Sequence, residues 1–148
     1  MEFRPVSDYG VFHELLTAYY REGEDADTPQ EQLDGFIRVL FELVESKLIS
    51  GAIAWEEEPV GFVLWGMDGE NFPFSNKPGY GTILEIGVEA RFRWMGYGRQ
   101  LMEYAQTCLG EVGKYVCAYG PAEAFWKKCG YRESGEKAQN GLKLLVKE

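Results

Sequence analysis

The sequence is poor in the residues that build metal sites, disulfide frameworks and histidine-based catalytic triads. Its 148 residues include one histidine, His13, and three cysteines, Cys108, Cys117 and Cys129. The cysteine spacings fit neither a C-x-x-C metal motif nor the disulfide framework of a secreted protein. No G-x-S-x-G motif is present to hold a nucleophilic serine. We therefore expect no metal, reduced cysteines, a helix-surface histidine and a cytoplasmic location.

The chain also lacks long apolar runs and an excess of basic charge. Its longest apolar stretch, residues 48–55, is interrupted and too short to span a bilayer. Glu2, Arg4 and Pro5 stand where a signal peptide would need an apolar region, so we expect no targeting segment. The net charge of −9 repels nucleic-acid backbones and weakly favours small cationic partners.

The composition and the apolar periodicity predict one α+β domain over residues 1–148. The content of 45% apolar and 15% aromatic residues is that of a globular protein. Apolar periodicity predicts the order β-α-α-β-β-β-α-β-α-β-β, a central mixed, mostly antiparallel sheet flanked by helices. The predicted strands are 2–6, 48–56, 61–67, 82–88, 115–119, 131–133 and 142–146. The predicted helices run from a cap at Ser7 or Asp8 to Tyr20, from a capping box at 28–31 to Val44, and over 96–109 and 121–128.

The residues after the predicted strand 82–88 carry the densest chemical signal. Gly96 and Gly98 lie where the next helix begins, and glycine lets a ligand approach backbone that a Cβ would shield. A helix N-terminus offers unpaired N–H groups and a partial positive charge to an anion. Three of the seven arginines of this acidic chain fall within residues 91–99. We interpret this segment as a phosphate cradle; the alternative is a loop that merely needs glycine.

Two common phosphate-binding motifs do not fit. A Rossmann fingerprint needs a third glycine where Leu101 stands, and a tight turn directly after the strand. Here seven residues separate Val88 from Gly96. A Walker loop needs a Gly-Lys-Ser/Thr sequence, which the chain does not contain.

Residues 93–98, Arg-Trp-Met-Gly-Tyr-Gly, resemble the R/Q-x-x-G-x-G/A signature of the GCN5-related N-acetyltransferases, the GNAT family. The strand 83–88 resembles that family's fourth strand. Residues 122–131 resemble its later A-x-x-F-Y-x-x-x-G-F segment. The resemblance is close over residues 82–131, and the element order fits the GNAT fold over the whole chain.

The resemblance implies acetyl-CoA as the cofactor. In the family, the signature holds the pyrophosphate and the pantetheine arm pairs with the fourth strand. The Val88 amide is then the expected donor to the thioester carbonyl oxygen. Gly87 fits a bulge or a close backbone approach, with simple tolerance as the alternative. The cofactor-binding residues implied in this way are Ile86, Gly87, Val88, Arg93, Trp94, Met95, Gly96, Tyr97, Gly98, Arg99 and Trp126.

Glu85 is the candidate catalytic residue. Direct acetyl transfer needs a base that deprotonates an ammonium, and Glu85 lies on the strand beside the expected thioester. Partial burial would raise the pKa of its carboxyl group toward a useful range. The alternative is a glutamate that faces solvent.

The chain departs from the family at its usual general acid. Trp126 stands where the family carries a tyrosine, and Tyr119 stands where it often carries an asparagine. An indole cannot supply a proton, although Trp126 can pack against the pantetheine arm. Tyr119, Tyr131 and Cys129 are the candidate substitutes, with a core role as the alternative. A thiolate leaving group makes a dedicated acid dispensable, and we expect none.

The sequence thus predicts an acetyl-CoA-dependent N-acetyltransferase that acts on a primary amine of a small molecule or peptide in a ternary complex. A non-catalytic acyl-CoA-binding domain of the same fold is the alternative, and an interaction module is a third reading. Residues 22–27 and 135–141 are expected to bound the acceptor site, and the acids of the first loop could attract a basic amine. We expect neither a nucleic-acid nor a membrane partner, and a homodimer is left open.

Overall fold

The computed structural model describes residues 1–23, 25–118 and 122–148. Within them the predicted order of strands and helices is confirmed, with 3₁₀ turns at Ala90–Phe92 and Gly110–Val112. The helices are α1 (Tyr9–Arg21), α2 (Gln30–Glu45), α3 (Tyr97–Leu109) and α4 (Glu123–Lys128). The strands are β1 (Glu2–Pro5), β2 (Ser50–Trp55), β3 (Pro59–Met67), β4 (Gly81–Val88), β5 (Tyr115–Ala118), β6 (Arg132–Lys137) and β7 (Lys143–Lys147). No helix of the described ranges is long and apolar enough to cross a membrane.

The seven strands form one sheet in the order β1-β2-β3-β4-β5-β7-β6. Every neighbouring pair is antiparallel except β4 and β5, which are parallel. Helices α1 and α2 pack in one apolar core and α3 and α4 in another. The parallel pair lies at the centre of the sheet, between the two groups of antiparallel strands.

Local chemistry explains where α1 begins and why α2 begins later than predicted. The Asp8 side chain accepts a hydrogen bond from the Val11 amide and caps α1, as predicted. The predicted capping box at residues 28–31 is wrong, because α2 starts at Gln30 without a side-chain cap. The Thr28 hydroxyl donates instead to the Asp25 carboxylate, 2.9 Å away, so that it belongs to the preceding loop.

A β-bulge in β4 changes the predicted faces of that strand. Leu64 pairs with Glu85 and Trp65 with Ile83, which leaves Leu84 as the extra residue. Leu84 packs in the core on the α1 side, whereas Ile86 and Val88 pack on the α3 side. The prediction that these three residues share one face is therefore wrong for Leu84.

The last hairpin is longer than predicted. β6 extends to Lys137, which pairs with Lys143, rather than ending at Glu133. The register is irregular between Glu133 and Lys137, where Gly135 has a φ of 85°. Part of the predicted 135–141 loop is therefore strand.

The long loop after β3 is closed by a buried carboxylate. Asp68 accepts hydrogen bonds from the Ser75 hydroxyl and from the amides of Asn76 and Lys77, at 2.6 to 2.8 Å. Phe72 and Phe74 of this loop pack on the α1-side core, so they cover the sheet.

Candidate active site

The site is built around the carboxyl-terminal half of β4. Within the described residues, β4 pairs with β5 only at Gly81 with Tyr115 and at Thr82 with Val116. Beyond Thr82 the edge of β4 that faces β5 has no described strand partner. The resemblance places the pantetheine arm along this edge of β4.

The cradle follows β4 directly. After the turn Ala90–Phe92 and an extended Arg93, Trp94 has a φ of 67° and Gly96 a φ of 83°, and α3 then begins at Tyr97. No side chain caps this helix start. The amides of the first helical turn have no intrahelical partner, and a left-handed non-glycine residue is a strained conformation that recurs at ligand sites. The backbone therefore fits a pyrophosphate, with amides to receive it and no Cβ at Gly96.

The three arginines of this segment do not form a free basic patch. They lie at the surface, where each pairs with a carboxylate, and Arg93 also donates from Nε to the Val88 carbonyl oxygen at 3.1 Å. Exposed pairs of this kind stabilise a protein by about 0–1 kcal/mol, so an incoming phosphate can displace them. The pairs are Arg91 with Glu58 and Glu89, Arg93 with Glu22, and Arg99 with Glu103.

Gly98 of α3 packs closely against α4. A Cβ built there would lie 3.1 Å from Cε1 of Phe125 and 3.9 Å from Cγ2 of Val88. Phe125 is partly buried and packs at the edge of the α3-side core. Phe125 is the phenylalanine of the 122–131 segment and was not among the predicted site residues.

Trp126, one residue further, is buried in the α3-side core. It is 5% exposed, and its ring makes edge contacts with Tyr131 and Phe125 at centroid distances of 4.9 and 5.2 Å. Its predicted contact with the pantetheine arm stays a prediction, and the arrangement gives Trp126 a core role.

The candidate substitutes for the general acid are no better suited than Trp126 to supply a proton. Tyr131 and Cys129 are buried, and burial raises the pKa of both. The Tyr131 hydroxyl accepts a hydrogen bond from Gln106 at 2.9 Å. Tyr119 lies outside the described residues.

Glu85 lies on the opposite, α1-facing side of β4. Burial raises the pKa of its carboxyl group to about 7, even though hydrogen bonding from Tyr19 and the nearness of Tyr20 lower it. The Tyr19 hydroxyl donates to Oε2 of Glu85 at 2.6 Å. A carboxylate with a pKa near neutrality can accept a proton at physiological pH. Glu85 is partly buried, and its side chain is held against α1 by Tyr19.

Gly87 is explained by the same packing. A Cβ at this position would lie 2.6 Å from the Phe62 ring and 2.7 Å from the Tyr19 ring. Such distances are too short for real contacts, so glycine is what allows both rings to lie against β4. The close approach expected at Gly87 is thus made by side chains, and the bulge lies at Leu84 instead.

A narrow cavity of about 10 Å³ lies between α1 and the end of β4, with room for about one water molecule. The Arg93–Glu22 ion pair, with Nη2 and Oε2 2.5 Å apart, lies on its wall. In the described chain, no group of three or more His, Cys, Asp or Glu side chains is placed to hold a metal. The lining residues are Leu15, Ala18, Tyr19, Glu22, Phe62, Gly87, Val88, Glu89 and Arg93.

The family model described as the acetyltransferase (GNAT) family matches residues 10–131, which is most of the chain. The chain belongs to the GNAT family. Membership confirms the predicted family and α+β fold, and it makes acetyl-CoA the cosubstrate. No protein of curated function matches this GNAT chain in sequence.

Solved structures agree on the fold. A PaiA N-acetyltransferase from Thermoplasma acidophilum in complex with coenzyme A is 15% identical, with a TM-score of 0.69 over 99% of this chain and 98% of that one. An acetyltransferase from Thermus thermophilus is 20% identical, with a TM-score of 0.74 over 99% and 95%. GCN5 from Tetrahymena is 15% identical, with a TM-score of 0.66 over 99% and 95%.

Proposed function

We propose that this GNAT protein transfers the acetyl group of acetyl-CoA to a primary amine of a small molecule or peptide, by direct attack in a ternary complex, and does so in the cytoplasm. The observation that carries the proposal is Glu85. Its carboxyl group has a pKa of about 7. Glu85 lies on the carboxyl-terminal half of β4, which has no described strand partner on its β5 edge and leads into the cradle. A base is useful there only if a proton must leave an incoming nucleophile.

Each part of the site has one task in this reaction. Acetyl-CoA supplies an activated thioester whose thiolate is a good leaving group at neutral pH. The first-turn amides of α3 and the Arg93 guanidinium bind the pyrophosphate. The backbone of Ile86, Gly87 and Val88 lies along the pantetheine arm, and the Val88 amide donates to the carbonyl oxygen as it gains charge.

The acidic surroundings favour a cationic acceptor. In the described chain the cavity is lined by two carboxylates, Glu22 and Glu89, and by one basic residue, Arg93, which pairs with Glu22. An ammonium is attracted to such a wall, and Glu85 then receives its proton, which leaves a neutral nitrogen able to attack.

The test is thiol release from acetyl-CoA across a panel of amines, polyamines, aminoglycosides and peptide N-termini. Wild-type protein is expected to turn over at least one of them. Glu85→Gln should lower kcat roughly 10²–10⁴-fold while the Kd for acetyl-CoA stays constant. A loss below about fivefold would remove Glu85 from the reaction.

A second candidate function is an acyl-CoA-binding domain without catalysis. It is favoured by one observation, Trp126, which lies in the core at the position of the family's usual acid. On this alternative acetyl-CoA raises the Tm but no amine is acetylated. If transfer occurs without a general acid, as we propose, Trp126→Phe changes kcat by less than about threefold, since an indole donates no proton.

A further inference from the structure

The base and the cavity are not in direct contact. Among the described residues, nine line the cavity between α1 and β4, and Glu85 is not one of them. Tyr19 is, and its hydroxyl donates to Glu85 Oε2 at 2.6 Å. The ammonium group of an acceptor, about the size of the one water molecule for which the cavity has room, therefore meets Tyr19 before it meets Glu85.

The Tyr19 ring is held in one place by its neighbours. It makes a perpendicular edge contact with Phe62, with the ring centroids 5.4 Å apart, and another with Tyr20. Gly87 leaves the room that the ring needs against β4. The contact between Tyr19 and Glu85 is thus fixed by packing from both α1 and the sheet.

The hydroxyl of Tyr19 is set up to pass a proton. Its single hydrogen is used in donating to Glu85, so its oxygen still has lone pairs with which to accept. An ammonium in the cavity is the natural donor to that oxygen.

We propose that Tyr19 is a catalytic residue that relays the proton from the acceptor ammonium to Glu85. An N–H bond of the ammonium breaks as an O–H bond forms on Tyr19, and the original Tyr19 O–H bond breaks as one forms on Glu85. The products are a neutral amine, a neutral Glu85 and an unchanged neutral tyrosine, so charge and atoms balance. The inference rests on the proposed function, of which it is one step.

The surrounding groups favour a concerted relay. Burial and the nearby Glu85 raise the pKa of Tyr19 far above neutrality, so a free tyrosinate does not form. Among the described residues, the other titratable groups that act on Glu85 are Tyr20 on α1 and Asp25 in the following loop. Tyr20 is buried and does not line the cavity, and in the described structure its hydroxyl makes no hydrogen bond of ordinary geometry.

The experiment compares the pH dependence of kcat for wild type, Tyr19→Phe, Glu85→Gln and the double variant, at saturating acetyl-CoA and amine. Tyr104→Phe is the matched control, since Tyr104 stacks on Phe3, away from the cavity. Each variant must keep the wild-type rise in Tm with acetyl-CoA, which shows that it is folded. If Tyr19→Phe fails this check, Tyr19→Gln is measured in its place; its amide can donate a hydrogen bond to Glu85 but cannot relay a proton, so the relay predicts the same loss.

The relay predicts that Tyr19→Phe lowers kcat at least about 30-fold at every pH, the plateau included. It also predicts that the double variant is no slower than Glu85→Gln. A merely positioning tyrosine gives a different result. The acid limb then moves to higher pH, because Glu85 loses the hydrogen bond that lowers its pKa, but the plateau stays within about threefold of wild type. That result overturns the relay and leaves the proposed function intact, whereas an inactive wild type overturns the function itself.

Discussion

On the α1 side of β4, Glu85 is held by a 2.6 Å hydrogen bond from Tyr19, whereas in the cradle that follows β4 Arg91 and Arg99 lie at the surface in ion pairs. Arg93 joins the two regions through its ion pair with Glu22. The first arrangement is packed by aromatic rings and encloses a cavity of about 10 Å³. The second presents backbone amides and glycines at a helix start that no side chain caps. The α1 side therefore sets the pKa of Glu85, whereas the arginines of the cradle can exchange their carboxylate partners for a ligand.

The difference has a physical reason. A base must be shielded from water to have a pKa near 7, and that shielding costs the fold stability. A phosphate site needs only directed donors, because the ligand brings the charge. Mutations on the α1 side should consequently change stability and pH dependence, whereas mutations in the cradle should change the affinity for acetyl-CoA.

The largest expected effect is on stability and concerns Glu85→Gln. The pKa of Glu85 is raised in the folded state from 4.5 to about 7. The stabilising contribution of the protonated form is therefore present below pH 4.5 and is lost as the pH rises to 7. Above that pH the variant should be more stable than wild type by up to about 3 kcal/mol.

Urea denaturation at pH 5 and pH 8 measures this difference. Glu42→Gln, on the exposed face of α2, is the control and should show no such change between the two pH values. Equal stabilities of wild type and Glu85→Gln at pH 8 would show that Glu85 is not shielded from water.

The next largest effect is expected in the cradle. Gly98→Val places a branched side chain against Phe125 and across the path of the pyrophosphate. Overpacking of this kind costs about 1–3 kcal/mol, and we expect the rise in Tm with acetyl-CoA to disappear. Gly35→Val is the matched control, because a Cβ at Gly35 meets nothing within 4 Å. A normal rise in Tm for Gly98→Val would place the cofactor elsewhere.

Arg93→Ala should weaken acetyl-CoA binding by about 1–2 kcal/mol, roughly tenfold. The loss is smaller than for an unpaired arginine, since Arg93 must first leave Glu22. Isothermal titration calorimetry gives the Kd, with Arg132→Ala, paired to Glu148 on the far edge of the sheet, as the control. An unchanged Kd would mean that the pair with Glu22 persists in the complex.

The smallest effect should be a gain. Glu22→Gln removes the partner that competes for Arg93, and the Kd for acetyl-CoA is expected to fall by about two- to fivefold, equivalent to about 0.4–1 kcal/mol. The same substitution in an Arg93→Ala background should change nothing. A gain that survives in that background would come from the lost negative charge alone.

The same comparison shows which parts of the site a sequence can predict. The cradle is local: strand, glycines and helix start follow one another within residues 81–99, and each has a recognisable residue pattern. Glu85 could also be proposed, because it lies on the same strand. The fold order followed from the change of apolar period along the chain.

The α1 side could not be predicted in this way. Tyr19 and Glu85 are 66 residues apart, and Glu22 and Arg93 are 71 apart, so their contacts depend on how α1 packs on the sheet. Neither pair carries a local pattern. The helical spacing that placed Tyr19 in α1 was its one visible signal.

Short elements limited two further predictions. The bulge at Leu84 shifts the alternation of β4 by one residue, which periodicity over eight residues does not reveal. Helix α4 has six residues, too few to decide from the sequence whether Phe125 or Trp126 packs against Gly98. In both places tertiary packing selects the face.

The most direct test of the account is the pH dependence of kcat for wild type and Glu85→Gln at saturating substrates. Wild-type kcat should rise with pH through about 7 and then reach a plateau, because Glu85 becomes able to accept the proton as it ionises. Glu85→Gln should be slow at every pH and lose this limb. A limb near pH 7 that persists unchanged in Glu85→Gln would contradict the assignment of Glu85 as the base and, with it, the division of labour across β4.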